Sequence, residues 1–436
     1  MPFKILTIIF FSFLLRATGN KAHGQIHKED GSIVVNAPNL FPESIALDPS
    51  SGNMYISSIA GKKIAVMDTA GKVQDFITSR QYGFESGLGM KINPKDQTLW
   101  AISSASGKKS ASVFKFDLRT KKLLKKYTFT SKQGIFLNDL CFDKENNLLI
   151  TDSANEDIYK INTKTGKKSR FFHSKLITHP NGITYDNQTD CLFVACDFGL
   201  VKISPSDYKT ELLKMPPNES SSGLDGIYFY QNSIIGIFND SKNLSEHRVS
   251  RFYFNKFQNS IILTETLSVD NLNAPTTGLI YNNKFYFLSK TYLIDFIKNS
   301  KTTTMTNEIK IIELSEHSQK KIQIITELTD AFNSGNWDKT FSLYSNDAQY
   351  IDQIQGKEPT TLTKEEVRKK YIEFRKNYPD LNDTVENISI NGNVASVDMV
   401  ITGTNINTGE KFRSQAKIIL TFNDANLIIK DETIFD

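Results

Sequence analysis

Between residues 42 and 290 the chain writes nearly the same sentence six times. The copies are PESIALDPSSGNMYIS from Pro42, LGMKINPKDQTLWAIS from Leu88 and LNDLCFDKENNLLITD from Leu137. They continue with HPNGITYDNQTDCLFVACD from His179, LDGIYFYQNSIIGIFN from Leu224 and TTGLIYNNKFYFLSK from Thr276. Each copy reads as an alternating strand, a polar hairpin loop and a second apolar strand. The residue near the opening of each copy forms a column: Glu43, Leu88, Asn138, Asn181, Asp225 and Thr277, spaced 43 to 52 residues apart. That period is the length of a propeller blade, so the spacing predicts an all-β six-bladed propeller over residues 31–314.

In such a ring the copies open the innermost strands, and the column residues meet at one mouth of the central channel. Glu43, Asn138, Asn181 and Asp225 are all oxygen donors. Two carboxylates and two amides around one small volume suit a hard divalent cation, calcium by preference, which also offsets the repulsion between the acids. A second reading stays open at this point, because Asn-Gly and Asp-Gly are common turn dipeptides and a turn precedes every inner strand. Turn chemistry does not account for Glu43.

The chain opens with Lys4, an apolar run from Ile5 to Leu15 and a small-residue site at Ala22-His23-Gly24. The run is too short for a bilayer, which needs about 20 residues. Residues 1–24 therefore read as a cleaved export signal, to the periplasm or the medium, with an uncleaved anchor as the alternative. The formal net charge is +4. Residues 1–24 contribute Lys4, Arg16 and Lys21 without an acid, so cleavage leaves a nearly neutral protein. Neither nucleic acid nor a membrane surface is an expected partner. Cys191 and Cys196 sit on one strand, about 17 Å apart at strand rise, too far for a disulfide. With Cys141 they are expected as small buried hydrophobes.

Ile33 to Val35 is placed as a terminal strand that completes the sixth blade, since a ring closes best by pairing its own ends. Tyr292 to Ile297 and Ile309 to Leu314 read as late strands, and Ser300 to Asn307 as a polar loop. From His317 the pattern becomes helical. Ile325, Leu328 and Phe332 precede Gly335, a C-terminal cap. Trp337, Phe341 and Tyr344 mark a second short helix. Thr363 with Glu366 is a capping box for a third, whose apolar face is Val367, Tyr371, Phe374 and Tyr378. Four strands follow, at 385–390, 394–402, 412–422 and 427–433. Helices followed by an antiparallel meander give a small α+β domain over residues 316–436.

Both halves resemble known families. With PES at Glu43, LND at Asn138, PNG at Asn181 and LDG at Asp225, residues 31–314 resemble the gluconolactonase and senescence-marker-type six-bladed propellers, relatives of paraoxonases and NHL-repeat proteins. The resemblance implies that Glu43, Asn181 and Asp225 hold a divalent metal, calcium by expectation. It makes Asn138 a further ligand or a substrate contact, and Asp225 the base that activates water. His179, two residues before Asn181, is a candidate substrate contact. The chain departs from sugar lactonases at Phe136, where they carry arginine, and from paraoxonases at Leu88, where they carry histidine. Residues 316–436, through AFNSGNWD and LYSNDAQYID, resemble the NTF2-like, SnoaL-type cone. There Tyr350, Asp352 and Arg413 are candidate pocket groups, and a homodimer through this domain is one expected role. The expected function is an exported metal-dependent hydrolase of lactones or related esters acting on a small molecule. The alternative is a non-catalytic NHL-like binding propeller with a ligand-binding or dimerising cone.

Overall fold

The computed structural model describes residues 31–239, 246–299, 306–353 and 360–435. The segment 1–24 expected as an export signal, and most of the loop expected at 300–307, lie outside the described residues. Among the described residues the chain forms six four-stranded antiparallel sheets and one six-stranded sheet. Five of the four-stranded sheets are consecutive runs, opened by Pro42–Leu47, Gly87–Asn93, Leu137–Phe142, Ile183–Asp186 and Leu224–Phe229. These are blades one to five, each led by one of the repeated copies.

Blade six takes Gly278–Tyr281, Lys284–Lys290 and Asn307–Glu313 from late in the chain, and Ile33–Val35 from the beginning. Ile33 faces Ile309, Val34 faces Glu308 and Val35 faces Asn307. The terminal strand thus covers the edge that blade six would leave open. Ile33 and Val35 are fully buried with Ile45, Ile56, Leu288 and Ile309, so the same strand packs blade six against blade one.

Tyr292 to Ile297 is not a strand. It forms α1, Leu293–Lys298, because Tyr292 takes a left-handed backbone (φ 56°) that ends extended chain. Leu293 and Ile294 then join Phe41 and Ala274 in an apolar cluster, and the Phe296 and Phe41 rings stack 4.6 Å apart. The third strand of the blade is supplied further on by Asn307–Glu313, as the late apolar run implied.

The C-terminal region packs α2 (His317–Asn333), α3 (Trp337–Ser342) and α4 (Lys364–Asn377) on the six-stranded sheet. Thr363 and Glu366 form the capping box of α4, and Gly335 ends α2 with φ 68°. Two expectations are corrected. Tyr344 does not extend α3 but opens the strand Tyr344–Gln353, which pairs with Thr360–Leu362 and, in parallel, with Ile428–Phe435. The sheet therefore has two strands beyond the expected four. Their sparse alternation, with Ala348 and Tyr350 buried between exposed polar residues, carries too few apolar positions to read as strand.

The two regions share a core. Tyr253, Ile262 and Leu263 of blade five lie in one apolar cluster with Ile322 and Ile325 of α2, and Lys256 pairs with Asp330 across the junction. Ring closure generates a first prediction. Ile33→Ala removes a fully buried side chain and should destabilise the propeller by about 2–5 kcal/mol, measured as a lower urea midpoint. The exposed Leu124→Ala should leave that midpoint unchanged within error.

Candidate functional site

The column residues leave the strand ladder through a repeated irregularity. Between Pro42 and Ile45, Gly87 and Met90, Leu137 and Leu140, and Leu224 and Ile227, the inner strand carries one residue more than its partner. A bulge of this kind re-aims a side chain that the pleat would bury between blades. It falls on Glu43, Leu88, Asn138 and Asp225.

The residue after the column explains the Asn-Gly and Asp-Gly pairs, and not as turns. Gly182 and Gly226 have no left-handed φ. A Cβ on Gly182 would stand 2.2 Å from the Asp225 carbonyl oxygen, and one on Gly226 3.0 Å from that of Thr276. Glycine is there because the next blade's backbone occupies the space. The Gly182 N–H donates to the Asp225 carbonyl at 3.0 Å, and the Gly226 N–H to that of Thr276 at 3.3 Å. Thr276 and Thr277 hydroxyls each donate to the Glu43 carbonyl at 2.8 Å, closing blade six on blade one.

This close approach gathers part of the column. Glu43 is buried, and its Oε2 has no hydrogen-bond partner among the described residues. Asp225 accepts from the Asn239 amide at 3.1 Å and from the Asn181 side chain, while the Asn239 Oδ1 has no partner among the described residues. Asn138 turns its amide to the Ser153 hydroxyl at 3.1 Å. Burial pushes the Glu43 carboxyl well above the usual carboxylate range, and the charges of Asp225 and Asp139 push it further. Burial likewise lifts Asp225 to about 7, against the hydrogen bonds from Asn239 and Asn181. Asp139 is raised by burial, opposed by Lys91 and by the N–H groups of Leu140 and Ile183.

Glu43, Asn181 and Asp225 thus belong to one acidic cluster, to which the structure adds Asp139, Asn239 and Lys91; Glu43 and Asp139 are buried and the other four half-buried. Asp139 and Lys91 lie inside the repeated copies but outside the first column. Asn239 is the last residue of the fifth copy. His179 stays outside the cluster. Its side chain is 73% exposed and meets Asp197 at 2.6 Å. Leu88 is simply core.

A hard cation fits this cluster. Among the described residues two unpartnered oxygens, on Glu43 and Asn239, stand beside mutually repelling carboxylates, against which Lys91 brings one positive charge. Among the described residues no three His, Cys, Asp or Glu side chains assemble as a ligand set. A bound cation would therefore draw on amide oxygens as well as on Glu43 and Asp225. The three cysteines are buried and free.

The C-terminal region holds a second site, a cavity of about 310 Å³ between the helices and the sheet. Its walls are largely apolar, with Phe332, Tyr371, Met399 and Leu420 among them. Tyr350 lines it, and among the described residues its hydroxyl lacks a partner, as does the Asp383 Oδ1. The Tyr344 hydroxyl donates to Asp431 at 2.6 Å. Arg413 is not a pocket group. It shares the exposed face of its strand with Gln415 and Lys417 and lies 3.6 Å from Glu386 on the surface. The Asp352 side chain lies outside the described residues. Asp383, Asp431 and Tyr344 are pocket groups that the sequence reading missed.

Burial raises Asp383 to about 7 and Asp431 to about 6. Between the unfolded carboxylate value, about 4, and these values, the folded state binds more protons than the unfolded one. Stability is therefore fully present below about pH 4 and lost as pH rises through 6 to 7. Asp431→Asn should flatten this decline, seen as a smaller fall in the melting temperature between pH 5 and pH 8.

The SnoaL-like domain family matches residues 325–429. No curated protein matches the sequence. Among solved structures, the chain is similar to a gluconolactonase from Xanthomonas campestris, at 10% identity over 65% of this chain and 90% of that one, with a TM-score of 0.47. It is similar to a catalytically inactive virginiamycin B lyase from Staphylococcus aureus, at 15% identity over 68% and 97%, with a TM-score of 0.47. A protein of ketosteroid isomerase-like fold from Catenulispora acidiphila covers 26% of this chain and 85% of its own, at 17% identity and a TM-score of 0.24. The chain is thus a six-bladed propeller carrying, at residues 325–429, a SnoaL-like domain.

Proposed function

We propose that the chain is an exported, calcium-type metal-dependent hydrolase of lactones or related esters, working at the mouth of the propeller channel. One observation carries the reading: among the described residues, the Glu43 Oε2 and Asn239 Oδ1 lack partners beside the half-buried Asp225. A divalent cation, when bound, supplies the charge that polarises an ester carbonyl and acidifies water. Glu43, Asn181, Asn239 and Asp225 would hold it, with Asn138 at the edge as a ligand or substrate contact. Asp225, whose carboxylate also accepts from the Asn239 amide at 3.1 Å, is the candidate acceptor of the attacking water's proton. The substrate is a small molecule, and neither nucleic acid nor membrane enters the reading.

The test uses the full chain without residues 1–24. Calcium binding by calorimetry and turnover of lactones and aryl esters are measured with and without chelator. Glu43→Gln should abolish binding, and Asp225→Asn should lower kcat by about 100-fold or more. Turnover indifferent to both chelator and Asp225→Asn would sink the proposal.

A second reading rests on the cone cavity and its unpartnered Tyr350 hydroxyl: a non-catalytic, NHL-like propeller beside a domain that binds an apolar small molecule or dimerises. An environment-sensitive apolar dye should then bind the wild type and be lost in Leu420→Trp, which fills the cavity. Sedimentation reads the dimer separately.

A further inference from the structure

Lys91 lies on the inner strand of blade two, three residues beyond Leu88, and Tyr228 on that of blade five, three beyond Asp225. Blades two and five stand opposite one another in a ring of six. The Lys91 ammonium nonetheless lies 5.0 Å from the centre of the Tyr228 ring, so the side chain crosses the channel. Tyr228 is buried and held in place, since its hydroxyl accepts the Gly278 N–H at 2.6 Å. Its face is thereby offered to a cation.

The strand of Lys91 runs between those of Glu43 and Asp139: the Met90 N–H donates to the Ser44 hydroxyl at 3.1 Å, and a Cβ on Gly89 would stand 2.7 Å from the Asp139 Oδ1, so the Lys91 charge sits between the acids of blades one and three. Among the described residues it makes no ion pair at contact distance, so it works through its field and leaves the carboxylate oxygens free. Asp139 is itself fixed, its Oδ2 accepting the Ile183 N–H at 3.4 Å. Ionised, Glu43, Asp139 and Asp225 carry three negative charges, and Lys91 returns one.

We propose that Lys91 is the resident cation of the channel, setting the cluster to a net charge of −2 and so matching it to a divalent rather than a trivalent ion. The inference rests on the metal-binding reading above and names the residue that sets its selectivity. Lys91 is a positioning and charge-setting residue, not a ligand.

The experiment compares wild type, Lys91→Met and Lys91→Arg after chelator stripping, using terbium luminescence and calcium competition. Lys91→Met should bind both ions more tightly and raise the preference for terbium over calcium about tenfold or more, while Lys91→Arg stays near wild type. Unchanged or weaker binding by Lys91→Met overturns the role of Lys91 and leaves the metal site standing. A wild type that binds neither ion, with Lys91→Met gaining terbium, upholds the lysine and removes the metal-dependent hydrolase. If no variant binds, thermal unfolding of the stripped proteins decides. Lys91→Met should then melt about 2–4 °C lower, and Asp139→Asn in the same chain should restore the loss. No loss, or no restoration, overturns the inference.

Discussion

The inner strands of neighbouring blades meet backbone to backbone, and the rest of the molecule depends on that contact. Around the axis each junction is tied near the column. The Met90 N–H donates to the Ser44 hydroxyl, the Ile183 N–H to Asp139, and the Gly182 and Gly226 N–H groups to carbonyls of the following blade. Threonine hydroxyls on blade six close the circle onto Glu43. Between blades two and three there is only room for glycine, since a Cβ on Gly89 would stand 2.7 Å from the Asn138 carbonyl oxygen. Buried backbone groups need partners, and at this radius the next blade is the nearest supplier.

A ring drawn this tight leaves a narrow centre. Carboxylates aimed into it by the bulges lose water without gaining an equal set of partners, which explains why Glu43, Asp139 and Asp225 are all raised together. The site is strained electrostatically rather than in its backbone. Two chemical remedies are within reach of such a cluster, a bound cation and a built-in one. Lys91 is the built-in one, and its reach across the channel depends on blades two and five facing each other.

The cone is organised on the opposite principle. Its polar groups are few and stand in an apolar cavity, so Asp383 and Asp431 are raised by the absence of water more than by one another. Its first helix also packs on blade five through Tyr253, Ile262 and Leu263, which makes the fusion one continuous body rather than two beads on a linker.

Repetition makes much of this legible in the sequence alone. Six copies at blade spacing dictate six sheets, and the orphan Ile33 to Val35 had one edge to cover. Glu43, Asn181 and Asp225 were visible as a column because the same strand start recurs with polar residues. Lys91, Asp139, Asn239 and Tyr228 were not, since a position matters to the channel only once the ring sets which residues face each other across it. In the cone, Thr363 and Glu366 announced their helix, whereas Tyr344–Gln353 was hidden because its parallel partner lies about eighty residues away. Local order, closure and the first column follow from periodicity along the chain. Long-range neighbours, burial and the charge of the site follow only from packing, because electrostatic energy depends on distance through space and on the water that packing removes.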